Sequence, residues 1–182
     1  MMEEKKLSSR DIFKGVLLHV KKDEVLLQNG KVSTREYVLH PGAVAVVPVT
    51  DDNKIVFVRQ FRYPLGQDLL EIPAGKFDSP NEDPLECAKR ELKEETGFRA
   101  NEFIYMGYIF TTPGFSNEVI HLYLARGLED GKMEPDEDEI IELEFKGLNL
   151  ALKECIDGKI TDAKTIAGVF KAYFYLRAIK EG

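Results

Sequence analysis

The chain is expected to fold as a mixed α/β domain behind an antiparallel β extension, and three observations carry that expectation. Short runs rich in Val, Ile, Leu and Phe, punctuated by turn residues, fill residues 12–60 and 103–145. A short helical pattern with a cap signal at each end falls between them, and a longer one closes the chain. The 43% hydrophobic and 31% charged fractions of 182 residues are those of a globular protein with room for a substantial core. We divide the chain into an N-terminal β extension, residues 1–40, and a main domain, residues 41–182.

Residues 12–20, 25–28 and 32–39 read as strands, the last two joined through Asn29-Gly30, a strong hairpin turn between apolar runs. So small a stretch cannot bury its own apolar face and must pack on something. Residues 42–49 and 55–60 are expected to form the next hairpin about Asp51-Asp52-Asn53. A helix is expected from Pro84 to Thr96. Asp83 can cap it, Pro84 suits a first position that needs no amide donor, and Glu86 completes a capping-box spacing. Gly97 can take the left-handed conformation that ends it, and Leu85, Ala88 and Leu92 form its inward stripe. Strands follow at 103–111 and 119–125, separated by Pro113-Gly114-Phe115, and another at 140–145 after an acidic run at 134–139. His121, inside a strand, reads as a packed histidine. A helix at 149–157 stops at Gly158. Thr161-Asp162 then cap a long helix with Ile166, Val169, Phe170 and Tyr173 turned inward.

Charge and composition exclude several function classes. With 25 basic and 32 acidic residues the net charge is −7, which disfavours a nucleic-acid polymer as partner. The longest apolar run, around 43–49, is far too short to cross a bilayer, and the polar start lacks the apolar core of a signal peptide, so a cytoplasmic protein is expected. Cys87 and Cys155 have no CxxC spacing and suggest neither a disulfide scaffold nor a zinc site; Cys87 is expected to pack. A small anionic substrate stays open. An acidic protein that binds a diphosphate must set metal ions and a few placed arginines against its own repulsion.

The chemistry is expected on the helix. Glu91, Glu94 and Glu95 lie three and four apart, so they crowd one patch, and each like-charge pair costs about 0.2–0.5 kcal/mol unless a cation offsets it. The alternative is a solvated ion-pair ladder of Glu86, Arg90 and Glu94. Glu82, followed after seven residues by Arg90-Glu91-Leu92-Lys93-Glu94-Glu95-Thr96-Gly97-Phe98, resembles the signature of the Nudix hydrolases, which cleave nucleoside diphosphates linked to another moiety. It departs from that signature in one place. Six residues separate Gly75 from Glu82 where the family has five, which bears on the role of Glu82 more than on the helix acids. Within the family, Arg35-Glu36 ahead of His40-Pro41-Gly42-Ala43-Val44, and Pro113-Gly114-Phe115-Ser116 sixteen residues after Gly97, resemble the ADP-ribose pyrophosphatase subgroup.

That resemblance implies an α/β/α sandwich with a mixed central sheet, a homodimer that exchanges the N-terminal extension, and conversion of ADP-ribose to AMP and ribose 5-phosphate. It implies Mg²⁺, with Mn²⁺ as a substitute, held by Glu91 and Glu95 and aided by Glu94, the Ala74 carbonyl and Glu139. Arg90 would orient the glutamates and Glu137 would act as general base. Arg62, and more weakly Arg59, would grip the diphosphate, the two arginines converging on the loop at Gly75. Arg35 and Glu36 would reach the adenosine in the neighbouring subunit; an exposed edge-strand ion pair is the alternative. Gly75, Gly114, Phe115 and Glu118 would contact substrate; an ordinary hairpin turn is the alternative for the Pro113-Gly114 segment. Another nucleotide substrate, or a domain that senses such a ligand without cleaving it, remain rival readings.

Overall fold

The computed structural model describes residues 3–79, 81–134 and 140–181, in two compact units. The smaller unit holds the N-terminal strands and residues 110–119, and the larger holds residues 43–109 and those from 120 onward.

In the smaller unit β1 (Lys5–Lys14), β2 (His19–Leu26) and β3 (Val32–Leu39) form an antiparallel sheet in that order. Asn29-Gly30 makes the expected turn, with Gly30 at φ 78° and its amide donating to the Leu27 carbonyl at 2.9 Å. The strand expected at 12–20 does not exist as one piece. Its middle is the β1–β2 turn, closed by Gly15 N–H donating to the Leu18 carbonyl at 2.8 Å, and β1 begins earlier, in polar sequence. All ten β1 residues are exposed, so β1 shows no apolar alternation for a pattern to find. Residues 110–119 join this unit through the Val38 amide, which donates to the Phe115 carbonyl at 2.8 Å, and through Asn117, whose side-chain oxygen accepts from the His40 amide at 2.7 Å.

The larger unit contains β4 (Ala43–Pro48), β5 (Lys54–Arg62), β6 (Gln67–Glu71), β7 (Ala74–Lys76), α1 (Pro84–Thr96), β8 (Arg99–Phe110), β9 (Val119–Glu129), β10 (Ile141–Gly147), α2 (Leu148–Ile156) and α3 (Ala163–Glu181). One sheet runs β7-β4-β9-β8 and is mixed, β4 being parallel to β9 and antiparallel to β7; the other runs β10-β5-β6 and is antiparallel. The expected hairpin of 42–49 with 55–60 is therefore wrong. Both edges of β4 are taken by β7 and β9, so β5 keeps only a single bridge, Val49 to Ile55, and pairs in the second sheet.

Every residue of β4 is buried, as a strand covered on both faces must be. Ala43, Ala45 and Val47 belong to the core that includes Ala151 and Cys155 of α2 and Val169, Ala172 and Leu176 of α3; Val44 and Val46 belong to the core with Cys87, Ala88 and Leu92 of α1. Helices on opposite faces of a mixed sheet make the α/β/α sandwich. The α3 stripe is displaced from the expected one: Thr165, Val169, Ala172 and Leu176 are buried, while Ile166, Phe170 and Tyr173 flank it. A Cβ on Gly168 would come 2.8 Å from Ile72 Cδ1 and 3.0 Å from Val47 Cγ2, so small residues face the strands and large ones are pushed aside. Among the described residues no helix is long and apolar enough to cross a membrane.

Candidate active site

Helix α1 has the expected bounds because its ends are set locally. Asp83 Oδ1 accepts from the Leu85 amide at 2.8 Å and the Glu86 amide at 3.2 Å, and Gly97, at φ 75°, donates back to the Lys93 carbonyl. Glu86 instead turns its carboxylate to Lys89, at 2.7 Å. Beneath the helix, Gly75 pairs with Val44 across β7 and β4. A Cβ on Gly75 would stand 2.0 Å from the carboxyl carbon of Glu91, so that carboxylate rests directly against the glycine. One turn on, Glu95 accepts from the Ala74 amide at 3.1 Å. Glu91 and Glu95 are only 9% and 5% exposed, so these two acids do not lie on a solvated face, whereas Glu86 does.

Arg90 organises these acids. Its Nη1 donates to Glu91 at 2.7 Å and to Glu94 at 3.0 Å, its Nε lies 3.4 Å from Glu82 and 3.5 Å from Asp78, and Nη2 donates to the Lys76 carbonyl at 3.2 Å. Burial opposes its charge, yet Glu91 and the neighbouring acids more than offset that and raise its pKa further. Glu82 stays within this group despite the longer loop, accepting from the Asp78 amide at 2.7 Å. Cys87 packs beneath, fully buried, and burial pushes its thiol up to about 12, which leaves it unreactive.

The two arginines of β5 do not converge. Residues three apart on a strand face opposite ways, and Arg59 pairs with Glu144 at 2.6 Å while Arg62 grips Glu71. The Arg62–Glu71 pair is bidentate, Nε to Oε1 at 2.6 Å and Nη2 to Oε2 at 2.8 Å. The bond to Glu71, with a smaller contribution from Glu95, outweighs burial and raises the Arg62 pKa. Lys164 of α3 bonds the same Glu71 carboxylate and lies 3.0 Å from Asp162. Burial pushes the Glu71 carboxyl up, but Arg62 and Lys164 outweigh it and hold it below the usual range. Sequence reasoning missed Glu71 and Lys164. The signals were faint: an acid inside the apolar run Leu69-Leu70-Glu71-Ile72, and a cation in the first turn of a helix, where the dipole disfavours it.

Of the remaining candidates, Arg35, Glu36, Gly114, Phe115 and Glu118 lie in the smaller unit. Arg35 pairs with Glu4 at 2.5 Å and Glu36 with Lys22 at 2.5 Å, so they do not pair with each other. Thr112-Pro113-Gly114-Phe115 is a tight turn, the Phe115 amide donating to the Thr112 carbonyl at 3.0 Å, and the Phe115 ring is 58% exposed. Glu118 accepts from the Thr111 hydroxyl and lies 3.4 Å from His40. Glu137 and Glu139 fall outside the described residues. His121 is packed as expected, against Phe77, Tyr105 and Tyr108, with the Tyr105 hydroxyl 3.0 Å from its Nδ1; burial lowers its pKa.

Among the described residues no group of three or more His, Cys, Asp or Glu is gathered as a ready metal cage; Arg90 sits among the acids. The donor chemistry still fits a hard divalent cation, since two buried carboxylates one helical turn apart border a backbone strand and all the candidate donors are oxygens.

A carboxylate helix seated on a glycine-bearing strand, over one face of a mixed sheet, is the arrangement of a Nudix domain, and the chain belongs to the Nudix hydrolase family. The NUDIX domain matches residues 39–167, and a nucleoside diphosphate sugar hydrolase N-terminal domain matches residues 4–38. The chain is 45% identical to the ADP-ribose pyrophosphatase of Bacillus subtilis, over 90% of this chain and 89% of that protein. It is 43% identical to a methanol dehydrogenase activator of Bacillus methanolicus, over 93% of this chain and 92% of that one. In fold it matches a crystal structure of an ADP compounds hydrolase with TM-score 0.88, at 23% identity, over 98% of this chain and 96% of that one.

Proposed function

We propose that this protein hydrolyses the diphosphate bond of ADP-ribose to AMP and ribose 5-phosphate, with Mg²⁺ as cofactor and Mn²⁺ as a substitute. The observation that carries the chemistry is the Glu91 carboxylate held against Gly75 with Glu95 tied to the Ala74 amide. The ADP-ribose pyrophosphatase relative supports the substrate. Glu91 and Glu95, with Glu94, the Ala74 carbonyl and Glu139, would hold the metal. Once bound, a divalent cation offsets the diphosphate charge and makes water more acidic. Arg90 fixes the rotamers of Glu91 and Glu94, and Arg62 presents its planar donors to the diphosphate. Glu137 takes the proton from the attacking water. The exposed Phe115 ring, with Gly114 and Glu118 in the same segment, is available to a sugar or base.

The test is product release from a panel of nucleoside diphosphate compounds, including NADH, FAD and other sugar nucleotides, with and without Mg²⁺. AMP is expected chiefly from ADP-ribose, only with metal, and in Glu95→Gln about a thousandfold more slowly, since a metal-borne stabilisation of several kcal/mol is removed. Cleavage of another compound in preference to ADP-ribose would overturn the substrate. Cleavage of none would overturn the hydrolase reading.

The working species is a homodimer in which residues 1–40 are exchanged and Arg35 and Glu36 reach the partner's substrate. The fully exposed β1, with Leu7, Ile12 and Phe13 about half exposed, supports a covering second copy. Sedimentation at micromolar concentration reads this directly, and a species of 20.7 kDa would remove it.

A further inference from the structure

The side chains of Arg62, Glu71, Asp162, Lys164 and Thr165 form one bonded network, and Glu71 lies three residues before Ala74, whose amide bonds Glu95. Glu71, 1% exposed, is gripped by Arg62 on one side and bonded by Lys164 on the other. Lys164 is itself anchored to Asp162, which accepts from the Thr165 amide at 2.9 Å and hydroxyl at 2.6 Å; that hydroxyl in turn accepts from the Ile72 amide at 2.9 Å. The network thus ties β5, the end of β6 and the start of α3 into one rigid support.

Its product is an orientation of Arg62. The guanidinium spends Nε and one hydrogen of Nη2 on Glu71, which leaves Nη1 and the outer hydrogen of Nη2 without a partner among the described residues. Those outer donors form the planar fork that matches two phosphate oxygens. With a side chain 41% exposed, that edge is accessible. An arginine free to turn would lose rotamer freedom on binding, whereas one already clamped does not.

We propose that Lys164 is a positioning residue for substrate binding, acting through Glu71 to hold Arg62 with its outer donors turned toward the diphosphate. Lys164 and Arg62 together balance the Glu71 and Asp162 carboxylates, and the Asp162 charge already reaches Arg62. Without the lysine, two carboxylates compete for one guanidinium and draw its fork away from the substrate. The inference rests on the assignment of Arg62 to the diphosphate.

The experiment is steady-state hydrolysis of ADP-ribose by wild type, Lys164→Met, Lys164→Arg, Arg62→Ala and the double variant Arg62→Ala/Lys164→Met, each first shown folded by circular dichroism and a melting curve. Lys164→Met is expected to raise KM about tenfold with kcat held within about twofold, Lys164→Arg to return KM toward wild type, and the double variant to match Arg62→Ala alone. If Lys164→Met fails to fold, Lys164→Gln takes its place in the same cycle. A folded Lys164 variant with wild-type KM overturns the inference and leaves the proposed reaction standing. The same loss from Lys164→Met with and without Arg62 also overturns it, since the lysine then acts independently. If Arg62→Ala itself leaves KM unchanged, the diphosphate assignment fails and the inference fails with it.

Discussion

Gly75→Ala is expected to lose at least about a hundredfold in kcat/KM for ADP-ribose while melting within a few degrees of wild type. The added methyl would overlap the Glu91 carboxyl group at 2.0 Å, so the carboxylate must leave the position in which it rests. A displacement of about 1 Å in a positioned group is enough to cost that factor. The fold survives because the group that yields is the end of a flexible side chain and the backbone at Gly75 is not left-handed, so alanine brings no conformational strain. Activity at wild-type level would show that Glu91 need not stand there.

Arg90→Ala carries the second large effect, and on stability as much as rate. Glu91, Glu94, Glu82 and Asp78 all lie within 3.5 Å of this guanidinium, and Glu91 is buried. Removing the cation leaves a buried acid among like charges, which costs about 3 kcal/mol, the lower end for breaking one side of a buried pair. Urea unfolding in EDTA measures it. Addition of Mg²⁺ is expected to recover part of the loss, raising the midpoint of the variant more than that of wild type, because a divalent ion supplies the missing positive charge. A variant as stable as wild type in EDTA would mean the acids are solvated and mutually indifferent.

What the sequence made legible follows from how local each signal is. Asp83, Pro84 and Gly97 write the bounds of α1 within a turn of its ends, and those bounds hold. The opposite orientations of Arg59 and Arg62 were also written there, in the strand period of two. The pairing of β4 was not, because a run buried on both faces says that it is central without naming its neighbours. Nor was the support for Arg62. Glu71 and Lys164 are 93 positions apart, and neither has a local motif that points to the other. Gly75 lay between these cases: a glycine at that place in the signature was visible, but the carboxylate that forbids a side chain there belongs to a different element.

The parallel pairing of β4 with β9 sets an order of events for the newborn chain. Val46 and Val47 leave the ribosome early, yet their partners Tyr123 and Leu124 lie beyond β5, β6, β7, α1 and β8. Until that long loop closes, β4 can pair with β7 but its other edge stays open, and such distant closures are slow because their entropy is spent before contacts reward it. The acids need not wait for it: Glu91 rests on Gly75 and Glu95 bonds the Ala74 amide, both in β7, which pairs with β4 and precedes β9 in the chain. Synthesis of β9 is therefore the step that covers the open edge of β4 and makes the chain less prone to aggregate, around acids that β7 and α1 can already bring together.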